Sequence, residues 1–293
     1  MNSPEIAIAN NHPDSKTRRS WEATLSLRFA GASAGRTSLR HCEHKGPLRV
    51  QRLFHPDPDG TAHCYLLHPP GGVVLGDKLS IDAAVESGRA LLTTPSAGRF
   101  YGVGTYRERQ QQHVRLAVSD AASLCWLPQE TIVFSGANAF LETQIALASE
   151  AELVWWDIVV LGCPASGTRF ESGSLEQRLR ICRDGQAMLE ERVALSAGDR
   201  YAHSPMGLGG ASTFGMMVLT TGASEPALHS WLSAVNGPDG EGAFSVTQRA
   251  ELLIARYLGE DAAVCRRGFS ALWRCACADS SGVEPSEPRI WHT

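Results

Sequence analysis

This 293-residue chain has little charge and no excess of either sign: charged residues make up 20 %, with 27 Lys and Arg against 31 Asp and Glu, for a net charge of −4. Without a basic stripe it has no electrostatic footprint for a phosphate backbone, so nucleic acid is not an expected partner. Long apolar runs are also missing. The greasiest, Leu153 to Leu161, is interrupted by Asp157 and is too short to cross a bilayer. Residues 1–20 carry Asn, Asp, Ser and Lys without an apolar stretch of signal-peptide length, so export is not expected. The eight cysteines include no CxxC pair and most sit in apolar segments, the pattern of reduced thiols in a cytosolic protein rather than of a disulfide framework.

Catalytic signatures are absent as well. There is no HExxH, no GxSxG elbow, no phosphate-loop pattern and no dinucleotide fingerprint. The segment His68-Pro69-Pro70-Gly71-Gly72 superficially resembles a phosphate loop. Such loops need successive free amide donors ahead of a helix, and two prolines remove donors while Val73-Val74 makes a poor helix start.

What is present is β-pattern. Trp21, Ala23, Leu25, Leu27 and Phe29 alternate with polar residues, as do Val114, Leu116 and Val118. Leu175, Gln177, Leu179 and Ile181 share one face, opposite Glu176, Arg178 and Arg180. This alternation predicts half-buried strands. Turn signals recur at sandwich or β-solenoid spacing, and Asp184-Gly185 between two such runs predicts a type I′ hairpin. No exact internal repeat accompanies them. Helical pattern is expected only late, at Pro226–Val235, at Thr247–Leu258 with Gly259 as its C-cap, and at Asp261–Cys275 opening on an acidic N-cap. The expected organisation is a flexible arm over 1–20 and one β-rich domain over 21–293.

The most specific stretch is Tyr65 to Leu79, YLLHPPGGVVLGDKL. Pro69 and Pro70 stiffen the backbone, Gly71, Gly72 and Gly76 relax it, and Asp77 follows: a shaped corner that presents an acid. Upstream lies a concentration of His41, Cys42, His44, His55, His63, Cys64 and His68. Imidazole and thiolate suit nickel, zinc or copper, but these spacings match no closed structural zinc site. They read either as unlinked surface and core residues or as a weak metal path, with His63, Cys64 and His68 the candidate ligands.

Five segments together resemble one family. GPLRVQR (Gly46–Arg52), LHPPGGVV-x-GD-x-L (Leu67–Leu79), TTP-x-A-x-x-FY (Thr93–Tyr101), WLPQETI (Trp126–Ile132) and the terminal PRIW (Pro288–Trp291) occur in the order found in the urease accessory protein UreD, also called UreH. The resemblance implies a fold of two stacked β-sheet layers in a β-helical arrangement, with a pair of helices. It implies a non-enzymatic, cytoplasmic scaffold for nickel urease maturation. Such a scaffold binds UreF, through it the GTPase UreG, and the urease apoprotein, and passes nickel along an internal channel. It holds no tight cofactor, only transient Ni²⁺. Asp77, Glu130 and Asp157 are the acids that the matching segments carry over as channel candidates. An apolar partner face would leave the isolated chain poorly soluble. The chain departs from the family pattern at Leu75, Gly102-Val103, Asp157 (usually glutamate) and Cys163. Two other readings stay open: a β-rich serine hydrolase, and a stand-alone nickel store built on the histidine cluster.

Overall fold

The computed structural model describes residues 20–32, 35–74, 76–102, 108–236, 242–282 and 284–292. The expected N-terminal arm and the departures at Leu75 and Val103 lie outside the described residues, except for Ser20 at the arm's end. Strands dominate, at 49 % against 16 % helix.

In chain order the strands are β1 (Glu22–Gly31), β2 (Thr37–Lys45), β3 (Arg49–Val50), β4 (Ala62–Leu67), β5 (Lys78–Val85), β6 (Arg89–Thr93), β7 (Gly98–Phe100), β8 (Gln110–Val118) and β9 (Ser123–Trp126). They continue with β10 (Thr131–Val133), β11 (Asn138–Leu147), β12 (Glu152–Leu161), β13 (Ser174–Arg183), β14 (Gln186–Ser196), β15 (Thr213–Leu219), β16 (Gly242–Arg249) and β17 (Leu252–Gly259). Three α-helices accompany them: α1 (Arg200–His203), α2 (Glu225–Val235) and α3 (Ala262–Ser281).

Among the described residues the strands form two sheets. The first runs β14-β13-β11-β8-β5-β1-β2; the second runs β16-β17-β15-β12-β9-β6-β4-β3, with β7 and β10 extending it beside β12. From β4 to β13 the chain alternates between sheets, and each return pairs parallel to the previous visit. The result is a β-solenoid-like stack closed at its ends by antiparallel hairpins.

Stacking aligns side chains in ladders. Leu27, Ala83, Leu116, Ile145, Ile181 and Leu189 are successive register partners across the first sheet, and all are buried. Val73, Phe100, Val133 and Leu161 form the matching ladder in the second. These inward ladders make the main core. The alternation expected from Ala23 to Phe29 is present, with all four odd positions buried, whereas Trp21 precedes β1 and is 53 % exposed.

The second sheet is buried on both faces. On β12, Leu153, Trp155, Val159 and Leu161 face the first sheet, while Val154, Trp156 and Ile158 pack beneath α2 and α3 with Trp231, Phe269, Leu272 and Trp273. The helix α3 is capped as its sequence dictates: Asp261 Oδ1 accepts from the Ala263 amide at 2.6 Å, and Gly282 ends the helix at φ +70°. The terminal tail docks on the same face, where Trp291 donates its indole N–H to Thr93 Oγ1 at 2.9 Å and its ring lies 5.5 Å from that of Trp156.

One helix expected from sequence is absent. Thr247–Leu258 is the end of β16, a turn at Ala250 and most of β17. Leu252 and Ile254 face the main core, while Leu253, Ala255 and Tyr257 face α3. A strand apolar on both faces lacks alternation, and over this length its pattern cannot be told from a helix. Gly259 pairs with Thr213 and Gly242 instead of capping a helix. The Asp184-Gly185 hairpin forms as expected, with both residues at positive φ (+48° and +79°).

A buried glutamine ties three successive coils together. Gln110 is fully buried; its Nε2 donates to Val73 O at 3.0 Å and Tyr101 O at 2.7 Å, and its Oε1 accepts from Asn138 N at 2.9 Å. Gln110→Ala strands three backbone groups at once, so it is expected to cost about 3 kcal/mol. A chemical-denaturation midpoint unchanged from that of the unsubstituted chain would contradict this.

Candidate functional site

The Pro-Pro-Gly-Gly corner is built to hold one loop against the next. Pro69 and Pro70 occupy the centre of a turn closed by Gly71 N donating to His68 O at 3.0 Å. Val73 then joins the second sheet through its N–H to Arg99 O (2.7 Å) and its O from Tyr101 N (3.0 Å). Gly72 is required here: a Cβ on it would lie 2.3 Å from a carbon of the Tyr101 ring. That ring stacks on Phe134 at 4.8 Å. Gly76 takes φ +84° and turns the chain into Asp77.

Asp77 is committed to the backbone. It is 8 % exposed; Oδ1 accepts from Trp21 N at 2.8 Å and Oδ2 from Val74 N at 3.1 Å. The carboxylate therefore fixes the entry of β1 against the corner. Glu130 lies elsewhere, between β9 and β10. Its carbonyl accepts from Gly98 N at 2.9 Å, and its charge is felt by the Cys265 thiol on α3, placing it on the helix-covered side of the second sheet.

Asp157 occupies a third environment. It lies at the middle of β12, in inward phase with Trp155 and Val159. Its carboxylate faces a cavity of about 430 Å³ between the two sheets, lined also by Thr143, Gln177, Glu191, Arg256 and Tyr201. Gln177 Nε2 donates to Asp157 Oδ2 at 2.8 Å. Burial dominates its titration and pushes the Asp157 carboxyl up to about 6, against the opposing pull of the Gln177 and Ile158 hydrogen bonds. No ion pair reaches it among the described residues. The structure thus separates the three acids: one structural clamp, one on the helix side, one inside.

The metal candidates do not converge either. His63 and Cys64 are neighbours on β4 and so point to opposite faces, both completely buried. His63 Nε2 is bound to Asp57 Oδ2 at 2.7 Å on the outer side, while Cys64 belongs to the main core, where burial raises its thiol to about 12. His68 sits in the corner; burial pushes its imidazole down, partly offset by Asp77. Among the described residues no three His, Cys, Asp or Glu side chains gather at metal-holding spacing. All eight cysteines are unbridged.

Sequence reasoning missed Gln177, Glu191 and Arg256 as cavity residues. Gln177 had left a signal: it is the one polar side chain on the otherwise apolar Leu175–Ile181 face. Gly102, one departure from the family pattern, has its own reason in this fold, because a Cβ there would come within 2.3 Å of the backbone of Ser135 and Gly136. No helix among the described residues is long and apolar enough to cross a membrane.

The family described as "UreD urease accessory protein" matches residues 22–292. The chain is 41 % identical over 278 residues to a urease accessory protein UreD of Saccharophagus degradans, covering 94 % of each. It is 38 % identical over 286 residues to one of Hahella chejuensis, covering 94 % of this chain and 91 % of that protein. A third, from Chromohalobacter salexigens, is 39 % identical over 291 residues, covering 94 % and 90 %.

Two predictions follow the sites apart. Unfolded, Asp157 titrates at the ordinary aspartate value of 3.8; folded, burial moves it to about 6. As pH rises from 4 to 6 the unfolded chain releases the proton first, so stability falls across that window and stays lower above it. Asp157→Asn removes the penalty and is expected to be more stable by about 2 kcal/mol at pH 7, roughly 4 °C in melting temperature. The gain should fade towards pH 4, and thermal melts at the two pH values check it. Asp77→Ala, by contrast, leaves two backbone donors unpaired and is expected to lose about 2 kcal/mol, measurable in the same melts.

Proposed function

The chain belongs to the UreD family of urease accessory proteins, and from that membership we propose that it is a non-catalytic scaffold through which nickel reaches the urease apoprotein. In this reading it acts in the cytoplasm, binding UreF, through UreF the nickel-carrying GTPase UreG, and the apoprotein. Nickel is its cargo, held in passing rather than as a resident cofactor.

The observation that supports the reading is Asp157: a carboxylate with no ion pair among the described residues, held by Gln177 at the wall of a cavity between the sheets. A buried carboxylate lacking a counter-charge is costly, and an entering cation supplies the missing charge. At neutral pH a group titrating near 6 is mostly ionised and available. One carboxylate, an amide and a hydroxyl make a hard, sparse oxygen set, which binds Ni²⁺ weakly compared with imidazole or thiolate. Weak binding suits a relay, because a tight site would keep the metal.

Of the three acids, this reading gives the transfer role to Asp157. Asp77 holds the corner that sets the coils in place, and Glu130 contributes on the helix side. The storage reading draws no support from His63, Cys64 and His68, which the fold disperses.

The test is urease activation in cells that express the urease subunits and the other accessory proteins, with this chain intact, omitted, or carrying Asp157→Asn. Omission should abolish both activity and enzyme-bound nickel. Asp157→Asn should fold and yet lower enzyme-bound nickel several-fold, separating transport from stability. Full activation with the chain omitted would refute the scaffold role; full activation by Asp157→Asn would remove Asp157 from the route.

A further inference from the structure

The cavity that holds Asp157 also holds a cation of the protein's own. Arg256 on β17 and Glu191 on β14 come from opposite sheets and form an ion pair, and both side chains line the cavity. The two side chains are themselves partly exposed, at 44 % for Arg256 and 34 % for Glu191. Register fixes how Arg256 relates to Asp157. Asp157 pairs with Met216, and Met216 pairs with Arg256, so the three occupy one rung on one inward face. Two strand spacings separate the acid from the guanidinium, about 10 Å between backbones.

Across that distance the charges interact through a partly open cavity, where water screens them only in part. A guanidinium cannot shed its proton to make room for another cation. It can only stay on Glu191 or swing away from it. A divalent ion in the cavity therefore meets one available carboxylate, Asp157, and a second, Glu191, that is already taken.

We infer that Glu191 is a second carboxylate station for the divalent cargo, and that Arg256 is the resident counter-ion which occupies it until a metal arrives. The inference rests on the cavity being the cargo site. Entry of the metal and release of Arg256 are then one exchange: Glu191 trades a guanidinium for a metal ion, and the sheet-to-sheet bridge opens as it does. The return of Arg256 expels the metal. Retention is kept low by a competitor built into the wall, in addition to the sparse ligand set.

The test is Ni²⁺ affinity of the purified full-length chain at neutral pH, measured by competition with a metallochromic chelator. Arg256→Met keeps the volume and removes the charge; it should bind Ni²⁺ about tenfold more tightly. Arg256→Lys keeps the charge and should match the unsubstituted chain. Glu191→Gln removes the second carboxylate and leaves the guanidinium loose beside Asp157, so it should bind more weakly. Unchanged or weaker binding by folded Arg256→Met overturns the inference. If that variant does not fold, Glu191→Gln decides, and affinity equal to that of the unsubstituted chain overturns it. Asp157→Asn separates the premise: if it binds Ni²⁺ normally, the cavity is not the cargo site at all. If it binds weakly while Arg256→Met is unchanged, the inference falls and the cavity remains the cargo site.

Discussion

Each coil of this protein stacks on the previous one in an unshifted parallel register, so the inward phase of one strand dictates that of every strand bonded to it. Among the described residues, register shifts occur only at antiparallel pairs, beside Arg28 in β1–β2 and beside Ile181 in β13–β14. Between them a slip of one residue anywhere would turn a whole ladder, such as Leu27 to Leu189, out to solvent. Gln110 guards against that slip where the chain passes between sheets, because its amide satisfies Val73, Tyr101 and Asn138 only if three coils are level. The Asp77 carboxylate does similar work for the first coil, and Gly72 keeps that coil close enough for Tyr101 to pack.

The same rule explains how a polar cavity survives in a core of this kind. The inward rows that begin at Leu25 and Ala23 carry Thr143 and Gln177 further along, and β12 contributes Asp157 on the same face as Trp155 and Val159. A carboxyl placed there is desolvated, which is why it titrates near 6. The protein pays in stability for ionising it at neutral pH. In the proposed role, a cation entering that cavity of about 430 Å³ would relieve the cost. Glu191 and Arg256 enter the same cavity from opposite sheets, so its electrostatics belong to the assembled sandwich rather than to either sheet.

The outer face of the first sheet shows the contrasting use of charge. Glu176 accepts from Arg178, Arg109 and Arg192, and those guanidiniums hold it down at about 2. Arg109 and Arg178 also cover the Phe140 ring at 4.8 and 5.4 Å. Here solvated charges shield an outward aromatic; inside, Asp157 is held by the Gln177 amide and, among the described residues, by no ion pair. The second sheet instead covers its outer face with α2, α3 and the tail, which is why its strands are apolar on both sides.

That difference marks what could be read from the sequence. Strands with one wet face announced themselves: the odd positions of β1, the Leu175–Ile181 face and the Asp184-Gly185 turn follow from alternation and φ preference alone. The N-cap of α3 was legible because Asp261 acts within one turn of chain, but its end was not: the helix expected to stop at Cys275 runs on to Ser281, where Gly282 closes it. Strand β17 was not legible, since burial on both sides erases the period and leaves only a greasy run. The solenoid itself left no repeat, because register partners such as Val85, Val118, Leu147 and Arg183 are unevenly spaced along the chain. The sequence by itself also named three acids as equivalent candidates, through their matching segments. Only the tertiary structure could tell them apart, because the environment of a carboxylate depends on which strands meet around it: backbone amides for Asp77, the helix-covered side of the second sheet for Glu130, and the cavity between the sheets for Asp157.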